Sequence, residues 1–211
     1  MEKAEKVVRF YGLCNRLKDV VRSGWKVWHV ERGRLESVAE HVYGTQMLAI
    51  AMWSEYGYGL DLAKVIMMLA VHELEEMVIG DVIPFEASAE EKKLRGREAV
   101  VELLSGLDGD TPVRELADEF CAQETAEARF AKECDKLEAD LQCRMYDEEG
   151  CINLAKQEGN VMLMNEEVQE IAQGKERASE IWLEYNRRKN NYDENFLEVS
   201  RYVEEQGILD K

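Results

Sequence analysis

Only two prolines, Pro84 and Pro112, interrupt a chain of 211 residues in which apolar side chains recur at helical spacing. Proline inside a helix removes a backbone donor and clashes with the preceding turn. A chain that avoids it over such lengths is free to be helical almost throughout. Val7, Val8, Tyr11, Leu17 and Val21 suggest a first amphipathic helix ending near Ser23-Gly24, with 25–36 as a connecting loop. Ser37-Val-Ala-Glu40 has the capping-box pattern, in which serine and glutamate satisfy each other's backbone amides. It predicts a helix over 38–56, closed by Gly57 and Gly59. The most apolar stretch predicts a helix over 60–79, stopped by Gly80 and followed by a loop at 81–84.

Further helices are expected at 88–105, 112–123 and 125–147, with a turn at 106–110, and one long polar helix at 166–188. Residues 150–165 fit no single pattern. The last twenty residues are expected as a short helix or a partly frayed end. The fold class is therefore all-α, with one domain at 1–189 and a C-terminal extension at 190–211.

Composition narrows the function. With 45% hydrophobic residues the chain can bury a real core. Its 27 basic and 44 acidic residues give a net charge of −17, which repels a phosphate backbone and argues against nucleic-acid binding. A small anionic substrate remains admissible, because a bound dication reverses the potential inside a pocket. The first residues, MEKAEKVVRFYGL, lack the apolar core of a signal peptide, and no segment approaches ~18 apolar residues, so no membrane span is expected. Cys14, Cys121, Cys134, Cys143 and Cys151 are odd in number and show no CxxC spacing. They read as reduced, mostly buried thiols of a cytoplasmic protein.

The candidate chemistry gathers on few residues. His41 lies in the first turn of the capped helix, and His72 lies deep in the most apolar one, just before Glu73, Glu75 and Glu76. A polar cluster in a buried helix costs several kcal/mol unless something satisfies it. A divalent metal would do so, accepting neutral imidazole and carboxylate together; a core histidine bonded to a glutamate would do so equally well. Glu76 falls one turn beyond His72, and Asp81 lies just past Gly80. Asp135 borders the stripe Phe130, Cys134, Leu137 and Leu141, where it either points inward or pairs with Lys132 or Lys136. His29, in the connecting loop, reads as exposed or as packing.

Three ordered segments, Glu36-Ser-Val-Ala-Glu-His41, Val71-His-Glu-Leu-Glu-Glu-Met-Val-Ile-Gly-Asp81 and Ala131-Lys-Glu-Cys-Asp-Lys-Leu-Glu138, resemble the HD phosphohydrolase superfamily. Within it they are most similar to the 5'-deoxynucleotidase branch, over roughly residues 10–148. The resemblance implies an HD-type helical bundle and one divalent ion (Co, Mn, Mg, Zn or Fe) held by His41, His72, Glu73 and Asp135. It places Glu76 and Asp81 beside the metal in catalytic or substrate-placing roles, and Trp25 in a nucleoside pocket. Lys92 is a further candidate for a phosphate oxygen.

The chain departs from the pattern at three positions. Glu73 stands where the family has aspartate, lengthening the carboxylate by a methylene, about 1.5 Å when extended. Gly24 and Trp28 stand where the branch has arginines, with Arg22, Arg32 or Arg34 as nearby replacements.

The implied reaction releases phosphate from a (deoxy)nucleoside 5'-monophosphate, with Glu76 orienting or deprotonating the attacking water. The alternatives are a nucleoside triphosphate or other small phosphate ester as substrate, or a fold that no longer catalyses and serves as a scaffold. Relatives of this type imply a homodimer by analogy.

Overall fold

The longest element of the computed structural model, a helix over Ala126–Glu148 (α8), is the strut around which the other helices pack. The structure describes residues 2–81, 89–109 and 111–208, with the side chains of 78, 79, 89–94 and 97 left aside. Thr125 starts α8 by accepting the Ala128 amide at 3.2 Å. Ala128, Ala131, Cys134 and Leu137, at spacings of three, are wholly buried along it. Asp135, Glu138, Asp140 and Arg144 are buried on the same helix, so this strut carries charge as well as apolar surface into the interior.

The elements before α8 run in order: α1 Lys3–Cys14, α2 Ser23–Val27, α3 Val38–Tyr56, α4 Leu62–Val71, α5 Glu76–Ile79, α6 Ala89–Leu104 and α7 Thr111–Ala122. After it come α9 Glu166–Ala172, α10 Ala178–Lys189 and α11 Glu194–Gln206. Among the described residues there is no strand, only an isolated bridge between Val21 and Ser37. The all-α expectation holds.

The capping box at Ser37 forms as read: the Glu40 amide donates to Ser37 Oγ at 3.3 Å, and the Ser37 amide donates to Glu40 Oε2 at 2.9 Å. α3 spans the expected 38–56 and closes at Gly57, whose φ is +68°. α8 crosses both α3 and α4, and this crossing assembles the polar cluster described below.

Four expectations need correction. The first helix stops at Cys14, followed by a single 3-10 turn at Asn15–Lys18. Val7, Val8 and Tyr11, expected on its buried face, are exposed. Part of the expected 25–36 loop is α2. The stretch 60–79 is two helices: α4 ends at Val71 and residues 72–75 form a turn before α5. His72 caps the end of α4 and does not lie deep within it. Its Nδ1–H donates to the Leu69 carbonyl at 2.8 Å, occupying the acceptor that the next helical turn would use. The polar helix expected over 166–188 is also two, α9 and α10, broken where Gly174 takes φ +76°.

The C-terminal segment packs. Asp193 Oδ1 caps α11 by accepting the Asn195 and Phe196 amides at 3.0 Å each. The fully buried Phe196 ring then lies 5.5 Å from Phe130 and 5.7 Å from Tyr192. A second core joins Trp25, Trp28, Tyr146 and Ile181, and a third joins Leu74, Val100, Leu103 and Leu104.

Candidate metal centre

Where α3, α4 and α8 meet, four side chains converge that are 94 residues apart at their extremes (His41 to Asp135). One ligand atom from each of His41, His72, Glu73 and Asp135 lies within 4.8 Å of the other three. His41 Nε2 is 3.1 Å from Asp135 Oδ1 and 3.7 Å from Glu73 Oε1. His72 Nε2 is 3.4 Å from Glu73 Oε1 and 3.7 Å from Asp135 Oδ1. The capped start of α3 fixes His41, the turn after α4 presents His72 and Glu73 together, and α8 supplies Asp135.

The donor set fits a divalent ion. A carbonyl only accepts, so the bond to Leu69 puts a proton on His72 Nδ1 and turns Nε2 to the cluster. That Nε2 is buried, faces the cluster and has no hydrogen-bond partner. A buried imidazole nitrogen without a partner, beside two carboxylates, is the kind of group a metal satisfies.

Charge around the cluster is finely set. Burial alone would raise the Glu73 carboxyl, but His72 and Arg22 outweigh it and hold it down to about 2. Asp135 likewise stays well below the usual carboxylate range, since Lys132, Lys136 and the two imidazoles overcome the cost of burial. Burial and Arg22 depress His41, yet Glu138 and Asp135 raise it further, to about 9. A metal therefore displaces a proton on binding there. Arg22 Nη1 donates to Glu73 Oε1 at 3.2 Å. Burial works against its charge, but Glu73, Asp81, Glu76 and Asp135 keep its pKa above the ordinary value. Asp135 divides its oxygens: Oδ1 faces the histidines, and Oδ2 takes Lys132 at 2.8 Å and Lys136 at 3.4 Å. The inward and the lysine-paired readings of Asp135 hold together.

The sequence profile of the HD domain matches residues 14–182. The chain belongs to the HD-domain family. The 5'-deoxynucleotidase HDDC2 of Xenopus laevis is 37% identical over 145 residues, covering 67% of this chain and 70% of that one. HDDC2 of Homo sapiens is 30% identical over 148 residues, with coverages of 69% and 70%. The 5'-deoxynucleotidase hdd1 of Schizosaccharomyces pombe is 29% identical over 152 residues, with coverages of 69% and 74%.

Among solved structures, the PH0347 protein of Pyrococcus horikoshii superposes with a TM-score of 0.59 at 24% identity, covering 94% of this chain and 98% of that one. A predicted metal-dependent phosphohydrolase of Magnetospirillum magnetotacticum gives a TM-score of 0.59 at 21% identity, with coverages of 94% and 93%. These two likenesses show the fold.

In this HD protein the longer Glu73 reaches the cluster while its Oε1 also takes Arg22. Of the three candidate replacement arginines, Arg22 alone touches the cluster; Arg32 pairs with Glu149 and Arg34 with Glu40. Trp28 has become core, donating its indole N–H to Met162 Sδ at 3.2 Å and packing edge-on against Trp182. A Cβ at Gly24 would meet nothing within 4 Å.

Glu76 is buried and acts on Arg22 through its charge. Asp81 Oδ2 accepts the Ser23 amide at 2.6 Å, tying the end of α5 to the start of α2. Trp25 is 6% exposed and donates to Glu36 Oε2 at 2.7 Å, with its ring edge-on to Tyr146. It packs in the second core, between Glu36 and Tyr146. The Lys92 side chain and Pro84 lie outside the described residues. His29 is exposed, with φ +49° and a bond from Nδ1 to the Lys156 carbonyl at 2.9 Å.

Sequence reasoning gave no role to Glu36 or Glu138. Both are buried, and one oxygen of each lies within 4.8 Å of a His41 ring nitrogen. The available signal was the three-residue step from Asp135 to Glu138, which puts both on one face of α8.

Proposed function

We propose that this protein hydrolyses (deoxy)nucleoside 5'-monophosphates, releasing inorganic phosphate. The observation that carries this reading is the convergence of two imidazoles and two carboxylates on a buried, unsatisfied His72 nitrogen. It is supported by relatives bearing the name 5'-deoxynucleotidase. His41, His72, Glu73 and Asp135 hold one divalent ion. When bound, that ion lowers the pKa of water and supplies counter-charge to phosphoryl oxygens.

The protein's own groups do the rest. Glu76, buried beside Arg22, orients the attacking water and takes its proton, and Asp81 places the sugar. Lys132 and Lys136 meet the dianionic phosphate. Their side chains are 30% and 41% exposed at the edge of the cluster, in a chain of net charge −17. Lys136 is the more responsive of the two. Asp135 favours its charge, but Lys132 and burial together hold its pKa below the ordinary value, so an incoming anion relieves it. Arg22 balances the charge of Glu73. Trp25 serves the site from behind, by fixing Glu36.

The protein works as a homodimer. Tyr43, Met47 and Ile50 are exposed at spacings of four and three along α3 and form an apolar stripe suited to a second copy. The five cysteines, none of them joined in a disulfide, favour a reducing, cytoplasmic setting. Among the described residues no helix is long and apolar enough to cross a membrane.

A panel of deoxynucleoside mono- and triphosphates, assayed for phosphate release with Co²⁺, Mn²⁺ and Mg²⁺, tests the reading. Release from monophosphates supports it, and preference for triphosphates moves the substrate class. No release with any metal leaves only the scaffold alternative.

A further inference from the structure

His41 uses both ring nitrogens, and only one faces the cluster. Nε2 lies 3.1 Å from Asp135 Oδ1. Nδ1 points the other way and bonds Glu138 Oε2. Asp135 and Glu138 sit three residues apart on α8, so one helical face carries the carboxylate at each end of the ring.

The Glu138 carboxylate comes this close to α3 because residue 44 has no side chain. A Cβ built on Gly44 would lie 2.9 Å from Glu138 Cδ and 3.1 Å from Cγ, and nearer still to Oε1. Glycine weakens a helix interior relative to alanine. Here no positive φ or turn requires it. The atoms an alanine would displace are the end of a single side chain, not backbone. On the far side stands Glu36, itself fixed by the Trp25 indole at 2.7 Å. Glu138 is thus held between a notch in one helix and a second buried carboxylate.

We propose that Glu138, seated in the notch that Gly44 leaves in α3, is the positioning residue of His41. It accepts the Nδ1 proton and so fixes the ring with the Nε2 lone pair toward the metal position. An imidazole that ligates through Nε2 must carry its proton on Nδ1, and an acceptor there sets both tautomer and rotation. The inference rests on the metal-centre reading and adds to it two residues that contact neither metal nor substrate.

The test is metal binding, read by calorimetric titration of Co²⁺ into the wild-type chain, Glu138→Ala, Glu138→Gln, Gly44→Ala and the Gly44→Ala/Glu138→Ala double variant. Circular dichroism checks the helical fold of each. Glu138→Ala should weaken binding on the order of 10- to 100-fold. Glu138→Gln, which keeps an acceptor oxygen, should recover most of that loss. Gly44→Ala should weaken binding although it removes no polar atom. The double variant should bind no worse than Glu138→Ala, because both changes disturb one contact. In zinc-loaded protein, ¹⁵N spectra of His41 should show a protected Nδ1–H that Glu138→Ala loses.

Unchanged affinity in Glu138→Ala would overturn the proposal, as would additive losses in the double variant. So would two ions per chain with one lost in Glu138→Ala, which would make Glu36 and Glu138 ligands of a second metal. If Glu138→Ala does not fold, Gly44→Ala and Glu138→Gln decide alone. A wild-type chain that binds no ion would instead remove the metal-centre reading, and this proposal with it.

Discussion

Arg22→Met should destabilise the metal-free protein severely and the metal-loaded protein much less. Arg22 faces Glu73 at 3.2 Å, with side chains only 18% and 12% exposed. At an effective dielectric of about 20, opposite charges at that distance attract by roughly 5 kcal/mol. Asp81, Glu76 and Asp135 add to the field that holds the guanidinium charged. Methionine keeps most of the volume and removes the charge, leaving buried Glu73 with only the two imidazoles beside it, and breaking a buried pair in this way costs about 3–5 kcal/mol. For a chain of this size each kcal/mol moves Tm by about 2–4 °C, so the variant should melt roughly 6–20 °C below wild type when stripped of metal. A saturating divalent ion supplies replacement positive charge, and most of the difference should close. Thermal melts with chelator and with excess Co²⁺ measure both. A loss below about 1 kcal/mol, or an equal loss with and without metal, would refute the claim that Arg22 balances the cluster.

Glu76→Gln should abolish phosphate release while metal content by elemental analysis stays at the wild-type level; loss of metal would reassign Glu76 as a ligand. Lys136→Ala and Lys132→Ala each remove a charge-assisted contact of about 1.5–3 kcal/mol. Each should therefore lower kcat/KM by roughly 10- to 100-fold with metal retained, and KM for a monophosphate should rise. Phe196→Ala should cost about 3–5 kcal/mol in urea unfolding, because the ring is fully buried; a smaller loss would mean that α11 is an appendage.

Asp140 supplies the pH prediction. Burial pushes its carboxyl up from 3.8 to about 8, against the bond from Asn186 and the charges of Lys136 and Arg187. Between those values the folded state holds a proton that the unfolded chain has released. Stability should therefore fall as pH rises from about 4 to 8. Asp140→Asn should flatten that part of the profile relative to wild type, and an unaltered slope in parallel denaturation series would count against it.

Local and global information separated cleanly in this chain. The capping box at Ser37 and Glu40 was legible because its partners are three residues apart, and it placed α3. The four candidate ligands were legible as residue types in three ordered segments. The break at His72 was not, since apolar periodicity runs on through Glu76 while a side-chain bond to the Leu69 carbonyl ends the helix. The split at Gly174 had a visible glycine, but polar periodicity on both sides masked it.

Arg22 against Glu73 spans 51 residues, and Glu138 against His41 spans 97; no spacing rule reaches across such gaps. The contacts of Trp25 were illegible for a related reason. Its neighbours in sequence are Gly24 and Lys26, whereas its neighbours in space are Tyr146 and Glu36.

The central claim is that His41, His72, Glu73 and Asp135 hold one divalent ion. Anomalous diffraction from a cobalt-loaded crystal addresses it most directly. The account predicts a single strong peak per chain, roughly 2.0–2.2 Å from His41 Nε2, His72 Nε2 and one oxygen each of Glu73 and Asp135. A cluster without a peak, or a peak lying instead between Glu36 and Glu138, would contradict it.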